Sequence, residues 1–189
     1  MLLGAVGILL AVEALLGFVP PTLPVLAVLM LGFFVAFNVL EAMSHKLPLS
    51  VLVVIHTAEL EVLLLERARR PGYWQSVTGS LDWRDEPLEA AAAREVREET
   101  GIDAGAGRLT RWNLANTFEI YLQWRHRFAP GVTHNTEHVF GLALPGRLPV
   151  AIAPEEHTAY CWLPWQEAAA KCFSWSNRDA IRMLGESAS

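Results

Sequence analysis

The stretch that most constrains this chain is LEAAAAREVREET, residues 88–100, fenced by Pro87 and Gly101. Alanine, glutamate and arginine are strong helix formers. Asp85 stands where a capping side chain belongs, Pro87 falls in the first turn, where a missing N–H costs nothing, and Gly101 can take the left-handed conformation that stops a helix. The stretch therefore predicts a helix. On that helix Glu95, Glu98 and Glu99 project within an arc of roughly 100°. Like charges one turn apart cost a few tenths of a kcal/mol per pair, on the order of 0.2–0.5. Glu99 also sits at the negative end of the helix dipole. Two kinds of positive charge can offset such a face. One is a solvated surface on which Arg94 and Arg97 neutralise the glutamates. The other is a hard divalent cation such as Mg²⁺, which takes carboxylates together with substrate phosphates.

The segments around the helix read as strands. LSVLVVIH and LEVLLLER, from Leu49 onward, are β-branched and leucine-rich runs joined by TAE, which predicts an adjacent pair. YWQSVTGS is a short extended piece closed by Gly79. Further extended stretches are expected near 108–128 and 137–145, then TAYCWLP, and two short helices near 164–172 and 176–185. Strands and helices interleaved in this order predict an α/β/α sandwich with a mixed sheet.

The first forty residues are different in kind. Residues 1–19 and 25–40 are apolar runs separated by PPTLP, and residues 1–45 hold no Lys or Arg. The first run is long enough to span a bilayer, for which about 20 residues are needed, and the second is marginal. A hydrophobic helical hairpin over residues 1–42 is expected, and FFVAFNVLEA resembles the late transmembrane helices of major-facilitator transporters. Two helices cannot build a transporter. Met43 is a natural start for the remainder of the chain, so residues 1–42 read as a fusion or start-site artefact, with a membrane tether as the alternative. The expected organisation is thus 1–42 transmembrane-like and 43–189 catalytic. Net charge is −5, so no basic field exists to hold a nucleic-acid duplex. Cys161 and Cys172 form no CxxC or metal-spaced cluster and read as reduced, cytoplasmic thiols.

Glu86, seven intervening residues, then Arg94, Glu95, Val96, Glu98, Glu99, Gly101 and Ile102 together resemble the Nudix hydrolase box, G-x5-E-x7-R-E-U-x-E-E-x-G-U with U aliphatic. One residue departs from it: Gly79 is followed by six residues before Glu86, where the pattern has five. The insertion falls in the loop SLDWRD, and it leaves open whether Glu86 or Asp85 pairs with Arg94. GYWQSVTGS, RHRFAPGVTHNTEHVFGLALP, EHTAYCWL and SWSNRDAI are similar to blocks of the branch of that family that hydrolyses dihydroneopterin triphosphate in folate biosynthesis. The likeness runs from about Lys46 to Ile181.

The resemblance implies a Mg²⁺-dependent pyrophosphohydrolase, with Mn²⁺ as a substitute ion and a small pterin triphosphate as substrate. It implies metal ligands at Glu95, Glu99, Glu98 and Glu156, and a general base at Glu98 or Glu156. It places substrate contacts at Lys46, Arg67, Thr78, Phe118, Glu119, Ile120, Tyr121 and Ser174, with Phe118 or Tyr121 stacking on a flat ring. Taken without the family, Arg67 is a solvated strand end, Phe118 a core aromatic and Ser174 a loop serine or helix cap. The histidines lack HExxH spacing and receive no metal. The alternatives are a nucleoside triphosphate pyrophosphohydrolase of the pool-sanitising kind and a non-catalytic Nudix ligand sensor, against which the intact Glu95, Glu98 and Glu99 argue.

Overall fold

The computed structural model describes residues 28–35 and 45–187. The chain divides into two compact units, Met1–Ser44 and His45–Ser189. The hairpin expected over residues 1–42 lies outside the described residues, save for 28–35, which are helical. Among the described residues no helix is long and apolar enough to cross a membrane.

The second unit is built on a seven-stranded sheet. Its strands are β1 (Leu49–Thr57), β2 (Glu61–Arg67), β3 (Trp74–Gln75), β4 (Val77–Ser80), β5 (Arg108–Glu119), β6 (His134–Leu144) and β7 (His157–Pro164). The spine runs β3-β2-β1-β6-β5, with β4 paired to β1 and β7 to β2. β1 and β6 are parallel and the other pairings antiparallel, so the sheet is mixed. The helices are α1 (Leu88–Thr100), α2 (Trp165–Lys171) and α3 (Trp175–Ser187).

The unbroken apolar run of β1 follows from burial on both faces. Val51, Val53 and Ile55 pack with Leu63, Leu65, Phe140 and the α1 residues Ala91, Ala92 and Val96. Leu52 and Val54 point the other way, against Val62, Leu64, Val139 and the Ala168, Ala180 and Ile181 of α2 and α3. Strand alternation thus feeds two cores, one on each side of the sheet. Burying each Val, Leu, Ile or Phe side chain is worth about 1.5–3 kcal/mol relative to leaving it exposed. The expected α/β/α sandwich is the observed one.

Two local expectations change. Asp85 does not cap α1: it is exposed, and Pro87, expected in the first turn, occupies the cap position, with no side-chain hydrogen bond there. The reason is Glu86, whose carboxylate turns inward and accepts from the Asp82 N–H at 2.7 Å, closing the loop on itself. Gly101 does end the helix, with φ 70°, its N–H donating to Arg97 O at 2.9 Å. The extended stretch expected over 108–128 stops at Glu119, because Glu119 already pairs with His134, the first residue of β6, and no partner strand remains. Leu122–Arg127 instead coil into a 3-10 helix.

Candidate active site

The C-terminal half of α1 carries the box glutamates, and they meet three different surroundings. Glu99 is 2% exposed: Oε1 accepts from the Thr78 N–H at 3.3 Å, and Oε2 lies 2.9 Å from His157 Nε2. Glu95 packs its carboxylate against Gly79, where even a methyl group would collide with it. Glu98 has a side chain 57% exposed. Arg94 ties the last two together, because its Nη1 donates to Glu95 Oε1 at 2.9 Å and to Glu98 Oε2 at 3.1 Å.

Arg94 also answers the question left by the inserted loop residue. Its Nε donates to Glu86 Oε1 at 2.9 Å and its Nη2 to Glu86 Oε2 at 3.1 Å and to Ser80 O at 3.1 Å. Glu86 is the partner, and the extra residue is absorbed by the exposed segment 82–85. Burial opposes ionisation of Glu86, yet the Arg94 hydrogen bonds and the Asp82 N–H outweigh it and hold the carboxyl below its ordinary range.

Glu99 gains a second carboxylate from β7's approach. Ala153 N–H donates to Glu99 O, Ala151 N–H to Thr100 O, and the loop so laid on the helix end delivers Glu156 and His157. Glu99, Glu156 and His157 each offer one atom within 4.8 Å of the others. Burial pushes the Glu99 carboxyl up, against the hydrogen bond from His157, and pushes Glu95 up to about 7. Both shifts have one physical meaning: these carboxylates are held where negative charge is costly, and a cation relieves the cost. Oxygen donors on a buried, electron-rich edge suit a hard divalent ion. His157 Nδ1 is buried without a partner among the described residues, so the ring is held by its Nε2 alone.

Beside this edge opens a cleft of about 990 Å³. Lys46, Arg67, Thr78, Phe118, Glu119, Ile120, Tyr121, Glu156 and Ser174 all line it; Glu95, Glu98 and Glu99 do not: Glu99 stands behind Thr78 and His157, Glu95 behind Gly79, and Glu98 is turned to Arg94 and solvent. Arg67 Nη1 donates to Gln75 Oε1 at 3.0 Å, and Gln75 Nε2 donates to Thr78 Oγ1 at 3.1 Å, so two expected contacts are joined through a third residue. Burial, with Arg127 nearby, lowers the Lys46 ammonium pKa, and burial does the same for Arg67. Two crowded cations of this kind favour an anionic ligand.

The 118–121 segment divides. Phe118 and Tyr121 face the cleft as aromatics, Tyr121 edge-on to Trp124 at 5.1 Å, while Ile120 is buried and its carbonyl accepts from Arg125 Nε at 3.1 Å. Glu119 is paired with Arg125. Ser174 serves as the cap of α3, its Oγ accepting from the Asn177 N–H and Nδ2 at 3.4 and 3.1 Å. Four residues that sequence reasoning leaves out also face the cleft: His157, Arg127, Asn135 and Glu137. For the last two a pattern is visible, since Asn135 and Glu137 fall in step with Val139, on the face of β6 that is buried along its N-terminal half.

The NUDIX domain family matches residues 46–184. The chain belongs to the Nudix family. Dihydroneopterin triphosphate diphosphatase of Escherichia coli K12 is 49% identical over 143 residues, covering 74% of this chain and 93% of that protein. The Haemophilus influenzae protein of the same name is 35% identical over 144 residues, 74% of this chain and 89% of that one. Among solved structures, the E. coli dihydroneopterin triphosphate pyrophosphohydrolase superposes with a TM-score of 0.68 at 46% identity, covering 74% and 95% of the two chains. Nudix hydrolases use divalent metal ions, and this Nudix chain has an acidic cluster in which to hold one.

Proposed function

We propose that this chain hydrolyses dihydroneopterin triphosphate, with Mg²⁺, to dihydroneopterin monophosphate and pyrophosphate. The observation that carries the reading is a single cleft lined by Glu156, the cations Lys46 and Arg67 and the aromatics Phe118 and Tyr121, in a chain 49% identical to a dihydroneopterin triphosphate diphosphatase across 93% of that protein. The catalytic unit is residues 43–189, which contain the whole Nudix match.

Lys46 and Arg67 hold phosphoryl oxygens, Arg67 kept in position by Gln75. Phe118 and Tyr121 offer faces to a flat ring. Water adds its oxygen to a phosphorus of the α–β bridge, the bridging P–O bond breaks, pyrophosphate leaves, and the proton from water passes to a carboxylate. Glu156 is better placed for that proton than Glu98, because Glu156 lines the cleft and Glu98 is turned to Arg94 and solvent. Glu95, Glu99 and Glu156 would hold the Mg²⁺, which would supply neutralisation of phosphoryl charge and a lowered pKa of water.

The test is pyrophosphate release from dihydroneopterin triphosphate by the full chain, and by the chain lacking residues 1–42, with and without Mg²⁺. Both forms should turn over, and only with the ion. A kcat/KM higher for any common deoxynucleoside triphosphate than for the pterin compound would replace this reading with the nucleotide-sanitising one.

A further inference from the structure

The cleft contains two hydrogen-bond acceptors that the phosphate chemistry does not use. Glu137 and Asn135, each 6% exposed, line it from β6, and Glu137 Oε1 and Asn135 Oδ1 are buried without a partner among the described residues. Being two apart on a strand they share a face, with Cα atoms about 7 Å apart. Asn135 is oriented by donating from Nδ2 to Ser50 Oγ at 2.7 Å, which leaves its carbonyl oxygen free. Glu137 is held by hydrogen bonds from the neutral side chains of Ser176 and Asn116.

An orphaned buried acceptor costs about 1–3 kcal/mol, more when charged, and two in one cleft call for donors that arrive with a ligand. Those donors do not come from phosphate, which offers only acceptors and would be repelled by the carboxylate. The cleft therefore has a cationic part, with Lys46, Arg67 and Arg127, and an acceptor part at Glu137 and Asn135. A triphosphate tail belongs in the first and a neutral, donor-rich ring edge in the second.

The geometry points to Glu137 and Asn135 as the residues that select the heterocycle, accepting hydrogen bonds from the ring N–H and adjacent exocyclic amino group of a 2-amino-4-oxopyrimidine edge. Pterins and guanine present that edge. Adenine and cytosine present a ring acceptor beside their amino group, and thymine has no amino group. The pterin as occupant rests on the function proposed above, whereas the edge preference can be measured without it.

The measurement is the ratio of dGTP to dATP dissociation constants, by calorimetry, for the full-length wild type, E137Q and N135A. No turnover is needed. The wild type should favour dGTP at least tenfold. E137Q puts an amide where a carboxylate stood, and should weaken dGTP at least tenfold while changing dATP less than threefold; N135A should move the ratio in the same direction. In parallel, kcat/KM for dihydroneopterin triphosphate should fall in E137Q through KM rather than kcat. A wild type indifferent between dGTP and dATP, or variants that lose both nucleotides equally, would overturn the assignment. If E137Q does not fold, the N135A ratio decides. Should the pterin compound prove not to be hydrolysed while the dGTP preference collapses in E137Q, the proposed function fails and the edge selection stands.

Discussion

Glu86 and Arg94 grip each other through two hydrogen bonds, 2.9 and 3.1 Å, across a loop one residue longer than the family's pattern. The same guanidinium reaches Glu95 and Glu98, so the position of the acidic face depends on a pair anchored eight residues upstream. Removing one member of a buried pair leaves the other as an uncompensated charge. Arg94→Met should therefore lower unfolding free energy by about 3 kcal/mol, discounted for the partial exposure of Arg94. Asp85→Asn, at the exposed neighbour, should change it by less than about 0.5 kcal/mol. Urea denaturation of both variants checks the contrast; equal losses would mean that Asp85 shares the structural role.

Gly79 is required for close approach rather than for an unusual backbone angle. A side chain there would meet the Glu95 carboxylate, which is the far end of a flexible side chain and can swing away. Gly79→Ala should thus cost less than about 1 kcal/mol of stability yet displace an expected metal ligand. Turnover should fall at least tenfold, about 1.4 kcal/mol of barrier, with a higher Mg²⁺ concentration needed for half-maximal rate. Unchanged Mg²⁺ dependence would show that Glu95 does not serve the ion.

Much of this architecture is legible in the residues alone. Helix α1 follows from its alanines and from Gly101, and β1 and β2 from apolar runs that can only be buried on both faces. The partner of Arg94 is not, because Asp85 and Glu86 are chemically equivalent candidates, and only the tertiary position of Arg94 chooses between them. His157 escapes a reading of the sequence because its partner, Glu99, lies 58 residues away and on another element. Local spacing rules such as HExxH report ligands on one helix and are blind to a pairing between a helix end and a strand start.

That pairing gives the third expectation. Among the described residues, the buried Glu99 carboxylate has the Thr78 N–H and His157 as hydrogen-bond partners. In His157→Ala the carboxylate keeps the backbone donor alone, and stability without metal should fall by about 2–4 kcal/mol. A cation that binds the folded state near Glu99 restores stability by mass action. Saturating Mg²⁺ should raise the melting temperature of the variant more than that of the wild type. If Mg²⁺ shifts neither protein, the ion does not bind beside Glu99.

Glu137 makes a separate, pH-dependent prediction. Burial, partly offset by hydrogen bonds from Ser176 and Asn116, pushes its carboxyl up from 4.5 to about 6. The folded state therefore binds its proton more tightly than the unfolded chain does. Its contribution to stability is complete below about pH 4.5 and is lost as pH rises through about 6. A shift of this size corresponds to roughly 2 kcal/mol. Glu137→Gln carries no titrating group, so the stability of the variant relative to wild type should rise by about that amount between pH 4.5 and 7. Unfolding by urea at half-unit pH intervals measures it. Parallel curves for the two proteins would mean that the buried carboxylate titrates normally, and that the unpartnered oxygen is satisfied in solution without a ligand.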